Sequence, residues 1–103
     1  MAQELVRYAV SDAIAEITLD RAPVNALSLD LIDALLAALA KARDDENVRA
    51  VIIASAHRVF CAGLDLHWLR SLGESPPISD LQHGLADFQS AVLAIVRCPI
   101  PVV

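Results

Sequence analysis

Residues 5–10 alternate, with Leu5, Arg7 and Ala9 on one side and Val6, Tyr8 and Val10 on the other. After Ser11-Asp12, the run Ile14-Ala15-Glu16-Ile17-Thr18-Leu19 resumes that period of two with β-branched residues. Two strands joined as an amino-terminal β-hairpin are expected within the first twenty residues. The intervening turn holds neither Gly nor Asn-Gly, so its type is not readable from sequence. Asp20-Arg21-Ala22-Pro23 ends the second strand, and the period then changes to 3.6, with Leu29, Ile32, Leu35, Leu36, Leu39 and Ala42 forming one apolar stripe. Ser28 is the expected N-cap of this helix, because its hydroxyl can accept an orphan amide of the first turn. Asp30 suits the positive end of the helix dipole. The charged residues 41–46 close the helix.

Residues 50–54, Ala-Val-Ile-Ile-Ala, form a continuous apolar run that predicts a strand covered on both faces. Strand, helix and strand in this order predict a βαβ crossover with parallel pairing. A loop over 55–63 then closes on Gly63, residues 64–70 suit a short helical turn, and 73–79 hold Gly, two Pro and two Ser. Ser79 and Asp80 are expected to open a last helix with Leu81, Leu85, Phe88, Val92 and Ile95 on its packed face, stopped by Pro99. Ile100-Pro101-Val102-Val103 has the pattern of a strand just beginning, and a chain that stops inside an apolar segment is expected to be a fragment of a larger domain.

Composition supports a layered α/β protein. Of 103 residues, 56% are hydrophobic but only 4% are aromatic, so the core must be aliphatic. That much aliphatic surface on so short a chain suggests further packing partners. The formal net charge of −5, without a basic cluster, argues against nucleic-acid binding. No apolar run approaches the ~20 residues that span a bilayer, so no membrane partner is expected. Met1-Ala2-Gln3-Glu4 has the features of neither a secretory signal nor a transit peptide, which makes a cytoplasmic location the default. Cys61 and Cys98 are too few for a disulfide framework and suit buried free thiols. His57, His67 and His83 are too dispersed for a metal site and suit solvated or structural roles.

The segment that could carry chemistry is Phe60-Cys61-Ala62-Gly63-Leu64-Asp65-Leu66. A turn of small residues feeding a helix leaves main-chain amides unpaired at the helix start, where they can meet an anion or a developing oxyanion. Such turns are also routine, with Gly63 doing no more than allowing the bend. Asp65 is tempting as a base, but a carboxylate at a helix start is more often a partner for free amides. Trp68 could wall an apolar pocket or simply fill the core.

Three elements occur together in order: Arg21-Ala22-Pro23-Val24-Asn25-Ala26-Leu27-Ser28, Val48-Arg49-Ala50-Val51-Ile52-Ile53, and Phe60-Cys61-Ala62-Gly63-Leu64-Asp65-Leu66. In order and spacing they resemble the crotonase superfamily (enoyl-CoA hydratase/isomerase), and within it look most like the Δ3,Δ2-enoyl-CoA isomerases. The resemblance spans essentially the whole chain. It implies an incomplete crotonase-type domain of the ββα superhelix kind, residues 1–103 being its amino-terminal portion. It implies an enoyl-CoA isomerase shifting a Δ3 double bond to Δ2 in fatty acyl-CoA metabolism, with hydration or a non-catalytic CoA-binding fragment as the alternatives.

By position, the resemblance makes the Leu64 backbone amide one of two oxyanion donors to an acyl-CoA thioester. It places Val24, Asn25 and Ala26 along the CoA moiety, and Ala62, Gly63, Leu64, Asp65 and Leu66 at the thioester and pantetheine end. It implies no metal and no cofactor beyond the CoA of the substrate, and a homotrimer or hexamer as the full assembly. The family's second donor and its catalytic Glu residues would lie beyond Val103. Glu4, Glu16, Glu46 and Glu74 are not credible bases, so the chain alone is expected to be inactive. One departure is Ala56-His57-Arg58-Val59-Phe60, which lacks the Gly often found before the Phe.

Overall fold

The computed structural model describes residues 4–103, so the reading of Met1-Ala2-Gln3 as resembling neither a secretory signal nor a transit peptide lies outside the described residues. Strands β1 (Val6–Ser11) and β2 (Ile14–Leu19) pair antiparallel, with Tyr8 opposite Ile17. The two-residue turn between them places both Asp12 (φ 53°) and Ala13 (φ 66°) in the left-handed region, the combination typical of a type I′ turn. Asp tolerates that region, whereas Ala does so at a cost of roughly 1 kcal/mol. The Ala13 carbonyl accepts a hydrogen bond from the Arg49 amide at 2.7 Å, which ties the turn to the next strand.

Helix α1 (Leu29–Asp44) starts where the capping argument places it: the Ser28 hydroxyl accepts from the Leu31 amide at 3.2 Å, and Asp30 occupies the first turn. Its buried stripe is Leu31, Ile32, Leu35, Ala38, Leu39 and Ala42. Leu29, expected in that stripe, is 37% exposed, and Leu31 is the buried leucine of the first turn. Strand β3 (Ala50–Ser55) pairs parallel with β2, completing the crossover in the sheet order β1-β2-β3. Beyond β3 the chain end begins a further parallel pairing. Val51 donates to the Pro101 carbonyl at 2.8 Å, and Val103 to the Val51 carbonyl at 2.9 Å.

The core lies on one face of the sheet. Ala15, Ile17, Leu19 and Val51 form one cluster with the α1 stripe, and α3 (Ile78–Val96) joins it through Ala91, Phe88, Ala94 and Ile95. The expected two-sided covering of β3 is therefore not found. Val51 is fully buried, but Ile52, on the opposite face, is 38% exposed, as is Ile14 beside it. A parallel pair buries both faces only when elements lie on both sides, and here α1 and α3 lie on the same side. α3 also departs from expectation. It begins at Ile78, one residue before Ser79, with no side-chain cap, and its buried positions are Gly84 and Ala91. Leu85 and Val92 face outward, at 51% and 46% exposed, while Phe88 and Ile95 pack against the core as expected. Among the described residues, no helix is long and apolar enough to cross a membrane.

The hairpin is tied to the loop after β3 by charge. Asp20 accepts from Arg7 and lies 2.9 Å from His57 Nε2. The hydrogen bond from Arg7 holds the Asp20 carboxyl below the usual range; the Arg7 charge and His57 act in the same direction, against partial desolvation. A carboxylate depressed by folding adds stability above its unfolded pKa and loses it as pH falls through the lower folded value. Stability should therefore begin to fall below about pH 4, and Asp20→Asn should flatten that limb in urea melts taken at stepped pH. An unchanged acid limb in the variant would show that the pair does not contribute.

Candidate functional site

Loop 20–27 and turn 61–65 come from distant parts of the chain, yet they run side by side. Ala62 N donates to the Val24 carbonyl at 3.0 Å, Leu27 N to the Gly63 carbonyl at 2.7 Å, and Asp65 N to the Leu27 carbonyl at 3.1 Å. This short parallel zipper brings together every residue singled out from the sequence: Val24, Asn25 and Ala26 on one side, and Ala62, Gly63, Leu64, Asp65 and Leu66 on the other. Gly63 has φ 87°, a conformation that L side chains rarely adopt, and a Cβ there would meet nothing within 4 Å. Backbone conformation, not crowding, requires glycine at this turn.

The individual residues play different parts. Asn25 is fully buried at φ 53°, in the left-handed region that asparagine tolerates better than most residues. Its carbonyl oxygen accepts from the Arg21 amide at 2.8 Å, and its Nδ2 donates to Ser55 Oγ at 2.8 Å and to the Phe60 carbonyl at 3.0 Å. Asn25 thus fastens loop 20–27 to the end of β3 and to the loop that follows it, and its own side chain is fully occupied. Ser55 carries the knot onward, donating to the Val59 carbonyl and accepting from the His57 amide.

Asp65 is 4% exposed and caps α2 (Leu66–Ser71), accepting from the His67 amide at 2.9 Å. Its other oxygen accepts from Arg21 Nη2 at 3.0 Å. Both carboxylate oxygens are engaged, which fits the capping role and leaves neither placed to take a proton. The expectation of several open amides at the helix start narrows accordingly, because the carboxylate already occupies that position. Gly63 N lies 3.4 Å from Cys61 Sγ. Among the described residues, the Leu64 amide donates to no protein acceptor.

Leu64 alternates with the zipper: its neighbours bond to Leu27, so its own N–H and C=O point the opposite way. Leu66 is 60% exposed and Phe60 57%, so the side of the turn away from the core is apolar and open. Trp68 serves as packing, its ring lying against Gly84 of α3. Cys61 and Cys98 are free thiols, half-buried rather than buried. Among the described residues, no group of three or more His, Cys, Asp or Glu side chains is placed to hold a metal.

Sequence reasoning missed Arg21 and Ser55. An arginine just after a strand and a serine at a strand end are each commonplace, and only the tertiary pairing gives them a role. The positive φ at residue 25 had a weak signal in the choice of Asn, which is enriched there.

Known proteins are similar to this chain over almost all of its length. The model of the family described as enoyl-CoA hydratase/isomerase matches residues 9–103. A protein of Rhodobacter capsulatus named probable enoyl-CoA hydratase is 34% identical over 103 residues, covering 99% of this chain and 38% of its own length. The peroxisomal Delta(3,5)-Delta(2,4)-dienoyl-CoA isomerase of Arabidopsis thaliana is 28% identical, with 97% of this chain and 39% of its own length covered. The crystal structure of an enoyl-CoA hydratase from Mycobacterium smegmatis superposes with a TM-score of 0.85 at 33% identity, covering 97% of this chain and 38% of that one. The chain thus spans about two-fifths of the length of the relatives it matches. With the zipper, the glycine turn and the βαβ frame in place, the chain belongs to the enoyl-CoA hydratase/isomerase family and carries part of a crotonase-type fold.

Proposed function

We propose that this chain supplies the thioester-binding half of an enoyl-CoA isomerase site, with the Leu64 amide as a hydrogen-bond donor to the thioester oxygen. The observation that carries the proposal is the Leu64 N–H, which has no protein acceptor among the described residues and is turned away from the zipper beside an open apolar surface. Moving a double bond from Δ3 to Δ2 removes a proton from C2 and returns one to C4, through a dienolate whose charge collects on the thioester oxygen. A main-chain donor aimed at that oxygen lowers the barrier, and the thioester itself acidifies C2, so no cofactor beyond the CoA of the substrate is required. The backbone of Val24, Asn25 and Ala26 would run along the CoA moiety, and Ala62 to Leu66 would line the thioester.

Hydration of a 2-enoyl-CoA is the second reading. It uses the same donor, and it is favoured by the name of the 34% identical Rhodobacter capsulatus relative. Neither reaction is expected from the chain alone. Asp65 is held by the His67 amide and by Arg21, Glu16 is exposed on β2, and Glu74 is exposed in a loop, so none of these three is put forward as the base.

The test removes only the donor. Incorporating the α-hydroxy analogue of leucine at position 64 converts the amide to an ester without changing the side chain. Bound crotonyl-CoA labelled with carbon-13 at the thioester carbonyl should show a downfield shift with the native chain and none with the ester. Equal shifts in both would rule out Leu64 as the donor. Turnover of a 3-enoyl-CoA by the 103-residue chain, abolished by Gly63→Val, would show that the chain contains its own base after all.

A further inference from the structure

We infer that the Arg21–Asp65 ion pair is a positioning device for the Leu64 amide; this rests on the thioester-binding reading above and assigns that site two further residues. The Gly63 carbonyl and the Leu64 N–H belong to one planar trans peptide unit, so they point in opposite directions. Anchoring the carbonyl on Leu27 N at 2.7 Å therefore sets the direction of the amide. Its aim depends on how firmly residues 62–65 keep their register against residues 24–27.

One guanidinium holds that register from both sides. Arg21 Nη1 donates to the carbonyl of Ala26, the residue before Leu27, at 3.0 Å. Arg21 Nη2 donates to the carboxylate of Asp65, the residue after Leu64, at 3.0 Å. The rigid, planar fork thus spans the zipper at the rung that carries the donor. The Asp65 side chain is 6% exposed and that of Arg21 30%, so solvent screens the pair less than an exposed one. Both terminal nitrogens of Arg21 are engaged within the protein, so the arginine is not a free cation waiting for a CoA phosphate. A misaimed donor loses much of its value to a developing oxyanion while leaving the rest of the ligand surface intact.

Two variants of the pair test this. Asp65→Asn keeps the side-chain volume and the oxygen that caps His67 but removes the charge facing Arg21. Arg21→Lys keeps the charge but cannot bridge both partners. Each is compared with the native 103-residue chain in calorimetric titrations with crotonyl-CoA and with a butyl-CoA thioether, which lacks the carbonyl. The native chain should prefer the thioester. Asp65→Asn should lower that preference about tenfold by weakening the thioester far more than the thioether, the size expected for one charge-linked hydrogen bond. Arg21→Lys should lose part of it.

A preference retained in Asp65→Asn, or both ligands weakened equally, would overturn the inference in favour of a purely structural pair. If Asp65→Asn fails to fold, Arg21→Lys decides, and a full native preference in that variant overturns the inference. No preference in the native chain would instead overturn the thioester-binding reading, and the positioning role with it.

Discussion

Asn25→Ala should cost roughly 4 kcal/mol of stability, a large share of the 5–15 kcal/mol that holds an ordinary domain together. The side chain makes three hydrogen bonds and is wholly removed from water. Its loss leaves the Arg21 amide and the Phe60 carbonyl without their partner, each costing about 1–3 kcal/mol when buried. Ser55 keeps its contacts to residues 57 and 59, which moderates the total. Alanine at φ 53° adds about 1 kcal/mol of backbone strain. Asn25→Gly removes the same hydrogen bonds without that strain, so it should be less destabilised than Asn25→Ala by about 1 kcal/mol. Urea midpoints of the three proteins separate the side-chain part from the backbone part. A midpoint for Asn25→Ala close to the native value would mean that the knot does not hold the loops together.

Gly84→Ala should displace Trp68 and detach α2 from α3. A Cβ at position 84 would sit 1.9 Å from Trp68 Cη2 and 2.3 Å from Cζ2, well inside contact distance. The indole cannot shrink, so it must move. Trp68 is the chain's one tryptophan, and its emission should shift to the red as the ring meets water. Overpacking costs about 1–3 kcal/mol, while replacing a mid-helix glycine by alanine returns about 1 kcal/mol. In a Trp68→Leu background the clash is gone and the helix gain remains, so Gly84→Ala should there be neutral or stabilising. That reversal of sign in a double-mutant cycle separates the contact from any general effect on α3. Unchanged emission in the single variant would mean that the ring does not pack on Gly84.

Both predictions concern features less legible in the sequence than the local elements of the fold. The glycine turn at 62–64 and the capped helix at Ser28 are written in local chemistry: a residue without Cβ where φ is positive, and a hydroxyl before a 3.6-period stripe. The Asn25 knot and the Gly84–Trp68 contact join residues 30 or more positions apart in the first case and 16 in the second. No local pattern announces such pairings. The large residues of α3 illustrate the difficulty. Leu85 and Val92 suggested the packed face, yet they are exposed and the fully buried positions of the helix are the small residues Gly84 and Ala91. The uncovered side of β3 has a similar cause: an apolar run shows that burial is favourable, but not which elements of the chain provide it.

By itself, the sequence determined the order of elements, the β-hairpin, the parallel crossover and the family to which the chain belongs. These follow from periodicities of two and 3.6, from caps and breakers, and from motifs of fixed spacing, all of which act over a few residues. The tertiary structure alone decided that loop 20–27 and turn 61–65 zip together, that Asp65 is engaged by Arg21, and that among the described residues the Leu64 amide is left without a protein partner. The reason is directional. A hydrogen bond depends on where two distant groups point once the sheet and α1 have set the geometry, and that orientation is a property of the packed chain rather than of any stretch within it.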